Sequence, residues 1–142
     1  MTDNDILDAL AAHIDALTPP TGLTLRQVYT TPPSTLAVTP SLVLMPADDS
    51  VSYGSGNRTV TLTVNATLYL QPTTASTLWP DIYAWRAWMR GLVTGSVTLD
   101  GTAAQAVVSS TSIGTDQWSD VDFATVTAAI TVTVYEAVAF TA

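Results

Sequence analysis

The sequence predicts an α+β domain: a mainly antiparallel sheet of long threonine-faced strands, with two amphipathic helices packed on one of its faces. Three observations predict it. From Thr59 to Leu70 every even position is apolar (Val60, Leu62, Val64, Ala66, Leu68, Leu70), and every odd one is threonine, asparagine or tyrosine. Near the C-terminus Val126, Ala128, Ile130, Val132 and Val134 alternate in the same way with Thr127, Ala129, Thr131, Thr133 and Tyr135. Period-2 alternation of this length marks strands with one face on a core and the other toward solvent or a partner. Two other stretches repeat their apolar residues at helical spacing and supply the helices.

In chain order, the first helix is expected over 4–17, with Leu7, Leu10, Ala11, Ile14 and Leu17 on one stripe. Asp3 or Asn4 caps it, early aspartates suit the positive end of its dipole, and Thr18-Pro19-Pro20 ends it. From Thr21 to Ala47 prolines bracket two short apolar runs, giving a strand near 36–45 of the kind found at sheet edges or packed on a surface. Asp48 to Asn57 reads as a polar loop with a flexible hairpin tip at Tyr53-Gly54-Ser55-Gly56. The strand over 58–70 would run roughly 40 Å, the full width of a compact domain of this size, about 35–40 Å. A second helix is expected over 77–93, capped by Ser76 or Thr77, with Leu78, Ile82, Trp85, Met89 and Leu92 as its core stripe. Strands near 96–99 and 105–113 flank a tight turn at Asp100-Gly101. A polar, acidic loop follows from Gly114 to Asp122, and the last strand covers 124–138. The two threonine-faced strands are expected to lie antiparallel in one sheet. The 142 residues make a single domain, 1–142, large enough for a core without staples.

Composition narrows the function. Only 11% of residues are charged, against roughly 25% in ordinary soluble domains. Threonine, serine and alanine take their place, and a hydroxyl is far less costly to desolvate than an unpaired charge. Such a surface suits large protein–protein contacts; a general compositional bias toward threonine is the other reading. With a net charge of −8 and four arginines, the chain lacks the clustered cations that hold nucleic-acid phosphates. No cysteine is present, which removes disulfides and thiol chemistry. The acidic, polar start from Met1 to Asp8 lacks a secretory leader pattern, and no apolar run is long enough to span a bilayer, so a protein of the cytoplasm or of an assembled particle is expected, with no membrane partner.

Catalytic chemistry finds little to build with. His13 is the only histidine and has no partner for a metal site or a nucleophile pair. Gly54 and Gly56 lack the Gly-Lys-Ser/Thr that makes a phosphate loop. The spacing of Asp116, Asp120 and Asp122 fits no calcium loop. No enzyme, cofactor or metal is therefore expected. On the second helix Trp79, Tyr83, Arg86 and Arg90 form a further stripe about 100° from the core stripe. Arginine beside aromatics is enriched at interface hot spots; stacking of the two arginines over Trp79 and Tyr83 at the core rim is the alternative.

The order of parts is the remaining clue: an amphipathic helix, the proline-punctuated Pro40-Ser41-Leu42-Val43-Leu44, an acidic loop, the Arg58–Leu70 strand, a helix with Trp85, Trp88 and Met89, a hairpin, and a closing strand at Ala124–Val138. This layout resembles the tail terminator (tail-completion or minor tail) proteins of long-tailed bacteriophages. The resemblance covers nearly the whole chain and rests on layout, with no single diagnostic motif. It implies a structural virion protein of the tail and neck, assembled in the host cytoplasm. Such proteins form a ring, a homo-hexamer, at the head-proximal end of the tail tube, where they end polymerisation and dock to the head–tail connector protein. DNA passes through the channel without specific binding. On this reading Trp79, Tyr83, Arg86, Arg90, Tyr69 and Tyr135 are candidate subunit contacts. Asp48, Asp49 and Tyr53 in one loop, and Asp116, Trp118 and Asp120 in the other, are candidates for reaching the tail tube protein or the connector. A head–tail connector or stopper, or a tail tube subunit, is the near alternative. A small-molecule-binding or enzymatic α+β domain is the distant one, and would need a pocket with convergent polar groups.

Overall fold

The computed structural model describes residues 3–137, apart from 35, 37–38, 55, 71–78, 94–104 and 119–120. Its order is α1 (Asp3–Asp15), β1 (Gln27–Tyr29), β2 (Ser41–Gly54), β3 (Asn57–Tyr69), α2 (Trp79–Arg90), β4 (Gln105–Trp118) and β5 (Val121–Ala137). The strands make one sheet in the order β1-β2-β3-β5-β4, antiparallel throughout except for the short β1, which runs parallel to β2. Both helices lie on one face of it, as the alternation predicts. α1 covers the β1–β2 side and α2 the β5–β4 side.

The two threonine-faced strands are direct neighbours in antiparallel register. Thr61 pairs with Thr133, Thr63 with Thr131 and Thr67 with Thr127, so equal faces meet and the apolar sets coincide. Leu62, Val64, Ala66 and Leu68 of β3 and Val126, Ala128, Ile130 and Val132 of β5 are buried under the helices. Ile6, Leu7, Leu10 and Ile14 of α1 and Ile82, Trp85 and Met89 of α2 complete the same core. The ring of Trp88 meets Trp85 edge-on at 5.2 Å, and its Nε1 donates to the Thr18 carbonyl at 3.0 Å. α2 ends at Arg90, short of 93, because Gly91 and Leu92 tighten the exit with bonds to the carbonyls of Trp88 and Met89 three residues back. α1 likewise ends at Asp15, with Leu17 in a tight turn onto Ile14.

Two expected loops are strands. The segment 48–54 continues β2, and the turn into β3 is only the few residues between Gly54 and Asn57, with Gly56 at φ 75°. Between Pro46 and Asp49 the ladder slips, leaving Ala47 and Asp48 together opposite Thr63. This bulge reverses the side-chain parity: Leu42, Leu44 and Pro46 lie on the helix side of the sheet before it, Asp49, Val51 and Tyr53 after it. Pro46, which has no N–H to give a ladder, sits at the bulge on a strand edge, where proline is tolerated. The polar composition misleads because residues 45–54 run past the helical layer and are exposed on both sides. In the same way 114–118 continues β4 and β5 starts at Val121, after a slip between Val108 and Ser110 that reverses parity there. The strand expected near 36–45 begins only at Ser41. The strand expected near 96–99, its turn at Asp100-Gly101, the cap at Ser76 or Thr77 and Leu78 lie outside the described residues.

Candidate functional site

The sheet face turned away from the helices is the most distinctive surface of the molecule. β3 contributes Asn57, Thr59, Thr61, Thr63, Asn65 and Thr67, and β5 contributes Thr125, Thr127, Ala129, Thr131, Thr133 and Tyr135. Ser50 and Ser52 extend it on β2 beyond the bulge, and Gln105, Val107, Ser110 and Ser112 extend it on β4. Across β3 and β5 these residues are uncharged, and the hydroxyls of Thr127 and Thr67 bond each other at 3.3 Å. None of the arginines joins the face. Arg26 precedes β1, Arg58 has the parity of the helix side, and Arg86 and Arg90 belong to α2. Ser50 and Ser52 were legible in principle, since Ser50-Val51-Ser52-Tyr53 alternates with period 2 inside the stretch that composition marks as loop.

One end of this face is closed by a small aromatic cluster. Val43, Tyr69 and Phe123 are buried there, with Tyr29, Leu36 and Trp118 packed against them. Tyr69 stands edge-on to Trp118 at 5.2 Å and to Phe123 at 5.9 Å. Its hydroxyl donates to Asp116 Oδ2 at 2.7 Å, and Trp118 Nε1 donates to the Pro33 carbonyl at 3.1 Å, which straps the proline segment across the sheet end. Burial, together with the hydrogen bond to Asp116 and its charge, holds the Tyr69 phenol well above the ordinary tyrosine value.

The expected contact residues therefore divide. Trp79 (47% exposed) and Tyr83 (60%) stand on the outer side of α2 with ring centroids 5.9 Å apart, and Arg90 is exposed on the same helix. Arg86 is turned onto β4, its Nε 3.2 Å from Thr111 Oγ1 and its Nη2 3.5 Å from the Thr111 carbonyl, so it anchors the helix to the sheet. Tyr135 is 69% exposed on the hydroxyl face. Asp48, Asp49 and Tyr53 are exposed on the β2 arm. Tyr69, by contrast, is 3% exposed and serves inside the chain, because the strap covers its end of the sheet. Asp116 and Trp118 are committed to that same cluster rather than projecting from a loop, and Asp120 lies outside the described residues. Asp116 and Asp122 pair with Phe123 and Gln117, which puts them on opposite faces of the sheet, where they share no cation.

Elsewhere, His13 Nε2 lies 3.0 Å from the Leu92 carbonyl. A carbonyl only accepts, so this nitrogen carries the proton and the side chain ties α1 to the exit of α2. A cleft of about 200 Å³ opens between Leu23, Thr24, Pro40 and Trp85, with Arg26 and Asp81 as its charged groups. Thr24 and Thr39 supply its hydroxyls. No protein-family model matches the chain, and no curated protein is significantly similar to it.

Proposed function

We propose that this chain is a structural subunit of the tail of a long-tailed bacteriophage. It forms a homo-hexameric ring at the head-proximal end of the tail tube, ends tube polymerisation there, and docks to the head–tail connector protein. The observation that carries the reading is the uncharged hydroxyl face, which runs along β3 from Asn57 to Thr67 and along β5 from Thr127 to Tyr135, on the side of the sheet opposite the helices. In a ring with that face inward, DNA meets threonines instead of cations, so no protein charge displaces its condensed counterions and no affinity accrues. The exposed aromatic pair on α2 and the β2 arm supply surfaces for neighbours. The layout of the chain, which resembles the tail terminators, supports the same reading. The subunit works by assembly, without cofactor or catalysis, in the neck of the virion after assembly in the host cytoplasm.

Native mass spectrometry of the purified protein, alone and with short tail tubes, tests this. A closed six-fold oligomer, or a fixed number of copies captured per tube end, is the expected result. Open-ended polymers would instead identify a tube subunit. A stoichiometric complex with the connector but none with the tube would identify a stopper. A monomer indifferent to both overturns the reading.

A further inference from the structure

β2 carries β1 beside it only at Ser41–Val43, and among the described residues none pairs with its outer edge from Leu44 to Gly54. Exposure shows that this edge is open. Thr59 and Thr61 of β3 lie on the uncovered face and are half-buried, because strands flank them on both sides. Their partners on the same face, Ser52 and Ser50, are exposed, as is every residue from Met45 to Gly54. Proteins blunt a free edge with proline, charge or a bulge. On β2 these devices end at Asp49: Pro46, the slip in the ladder and Asp48–Asp49 stand together, and Ser50-Val51-Ser52-Tyr53-Gly54 carries none of them. Val51 and Tyr53 are 43% and 69% exposed on the helix side of this stretch, and the two serines occupy the other side.

We propose that the edge of Asp49–Gly54 receives an extended segment of a different protein, which adds to the sheet as a further short strand, with a basic residue beside Asp48–Asp49 and apolar residues flanking Val51 and Tyr53. In strand addition the main-chain bonds supply the affinity and the side chains select the partner. Alternate residues of β2 turn their N–H and C=O toward β3, and those between turn them outward, where the incoming strand meets them. β1 does not obstruct it, since Val43 and Asp49 are roughly 20 Å apart along the strand. On the helix side Val51, Val60 and Val134 form one cross-strand row, which a β-branched residue of the added strand continues. The charges argue against a second copy of this chain as the occupant. All four cations of the sequence are arginines, and each is placed elsewhere. Arg26 has its N–H bonded to the Pro40 carbonyl beside β1, Arg58 lies within β3, and Arg86 and Arg90 are on α2. Copies of net charge −8 also repel one another. A cationic extended segment therefore comes from another chain.

This contact stands whether or not a ring forms. The probe is a synthetic peptide, Lys-Val-Thr-Val-Thr-Val-Lys, added to the full chain and followed by residue-resolved amide exchange. Lysine at both ends sets one beside the aspartates in either strand direction. Amides of one parity within 49–54 should slow, because those of the other parity already bond β3. The same peptide with glutamate at both ends should bind roughly three- to tenfold more weakly. The double variant Asp48→Lys, Asp49→Lys should invert that preference, which a merely misfolded chain would not do. No slowing in 49–54 at millimolar lysine peptide, or equal binding of the two peptides, overturns the proposal. The same slowing in the concentrated protein without peptide makes a second copy the occupant and overturns it as well. The ring reading fails separately, through a monomer in native mass spectrometry whose edge still takes the peptide.

Discussion

Replacing Tyr69 by phenylalanine removes one oxygen from a fully packed site, and its consequences separate by pH. At neutral pH the loss is the hydrogen bond to Asp116, 2.7 Å long. Asp116 is itself exposed and regains water when the hydroxyl goes, so the cost is that of an ordinary net hydrogen bond, about 1 kcal/mol. Above pH 10 the effect reverses in kind. The Tyr69 phenol is raised above the ordinary value by burial and by Asp116, while in the unfolded chain it titrates near ~10. Below that pH both states are neutral and the stabilising contribution is complete. As pH rises past it, the unfolded state releases a proton that the folded state keeps, and stability falls by about 1.4 kcal/mol per pH unit until the folded phenol ionises. Urea unfolding followed by tryptophan fluorescence from pH 7 to 11.5 measures this directly. The wild type should show the alkaline slope, and Tyr69→Phe should be less stable at pH 7 but lose most of the slope, so the two curves converge or cross. Parallel curves would refute the assignment of a buried, raised phenol at this position.

The other expectations are simpler. Trp85→Ala empties the centre of the core between α2 and the sheet, where Trp85 is 1% exposed, and should cost about 3–5 kcal/mol in denaturant unfolding. Trp118→Phe keeps the ring but loses the donor to the Pro33 carbonyl; about 1 kcal/mol of strap anchoring should go, read as faster proteolysis within 30–36. Gly56→Ala meets no atom within 4 Å but must hold φ 75°. It should lose about 1 kcal/mol through backbone strain alone, with Gly56→Asn losing less.

The sequence alone determined the class of fold and its two long central strands. Where a side-chain period is imposed by burial on one face, as at Val60–Leu70 and Val126–Val134, the pattern records the burial directly, and the pairing of equal faces follows. The buried stripe Ile82, Trp85 and Met89 was legible for the same reason. Of the candidate contacts, Trp79, Tyr83, Arg90 and Tyr135 are exposed as the patterns implied, since they fall off the buried stripes. The rest was decided by tertiary structure. The distal halves of β2 and β4 extend beyond the helical layer or lie at an edge, so no core selects apolar residues there, and their bulges shift the parity that a reader would follow. Tyr69 fits the exposed row by its position and is buried only because Trp118, Phe123 and Leu36, remote in the chain, close over it. Which strands stand at the edges is likewise a property of sheet order. Alternation shows which face of a strand is buried, but not whether a neighbour's backbone lies beside it, because backbone hydrogen bonds are made alike by every residue except proline.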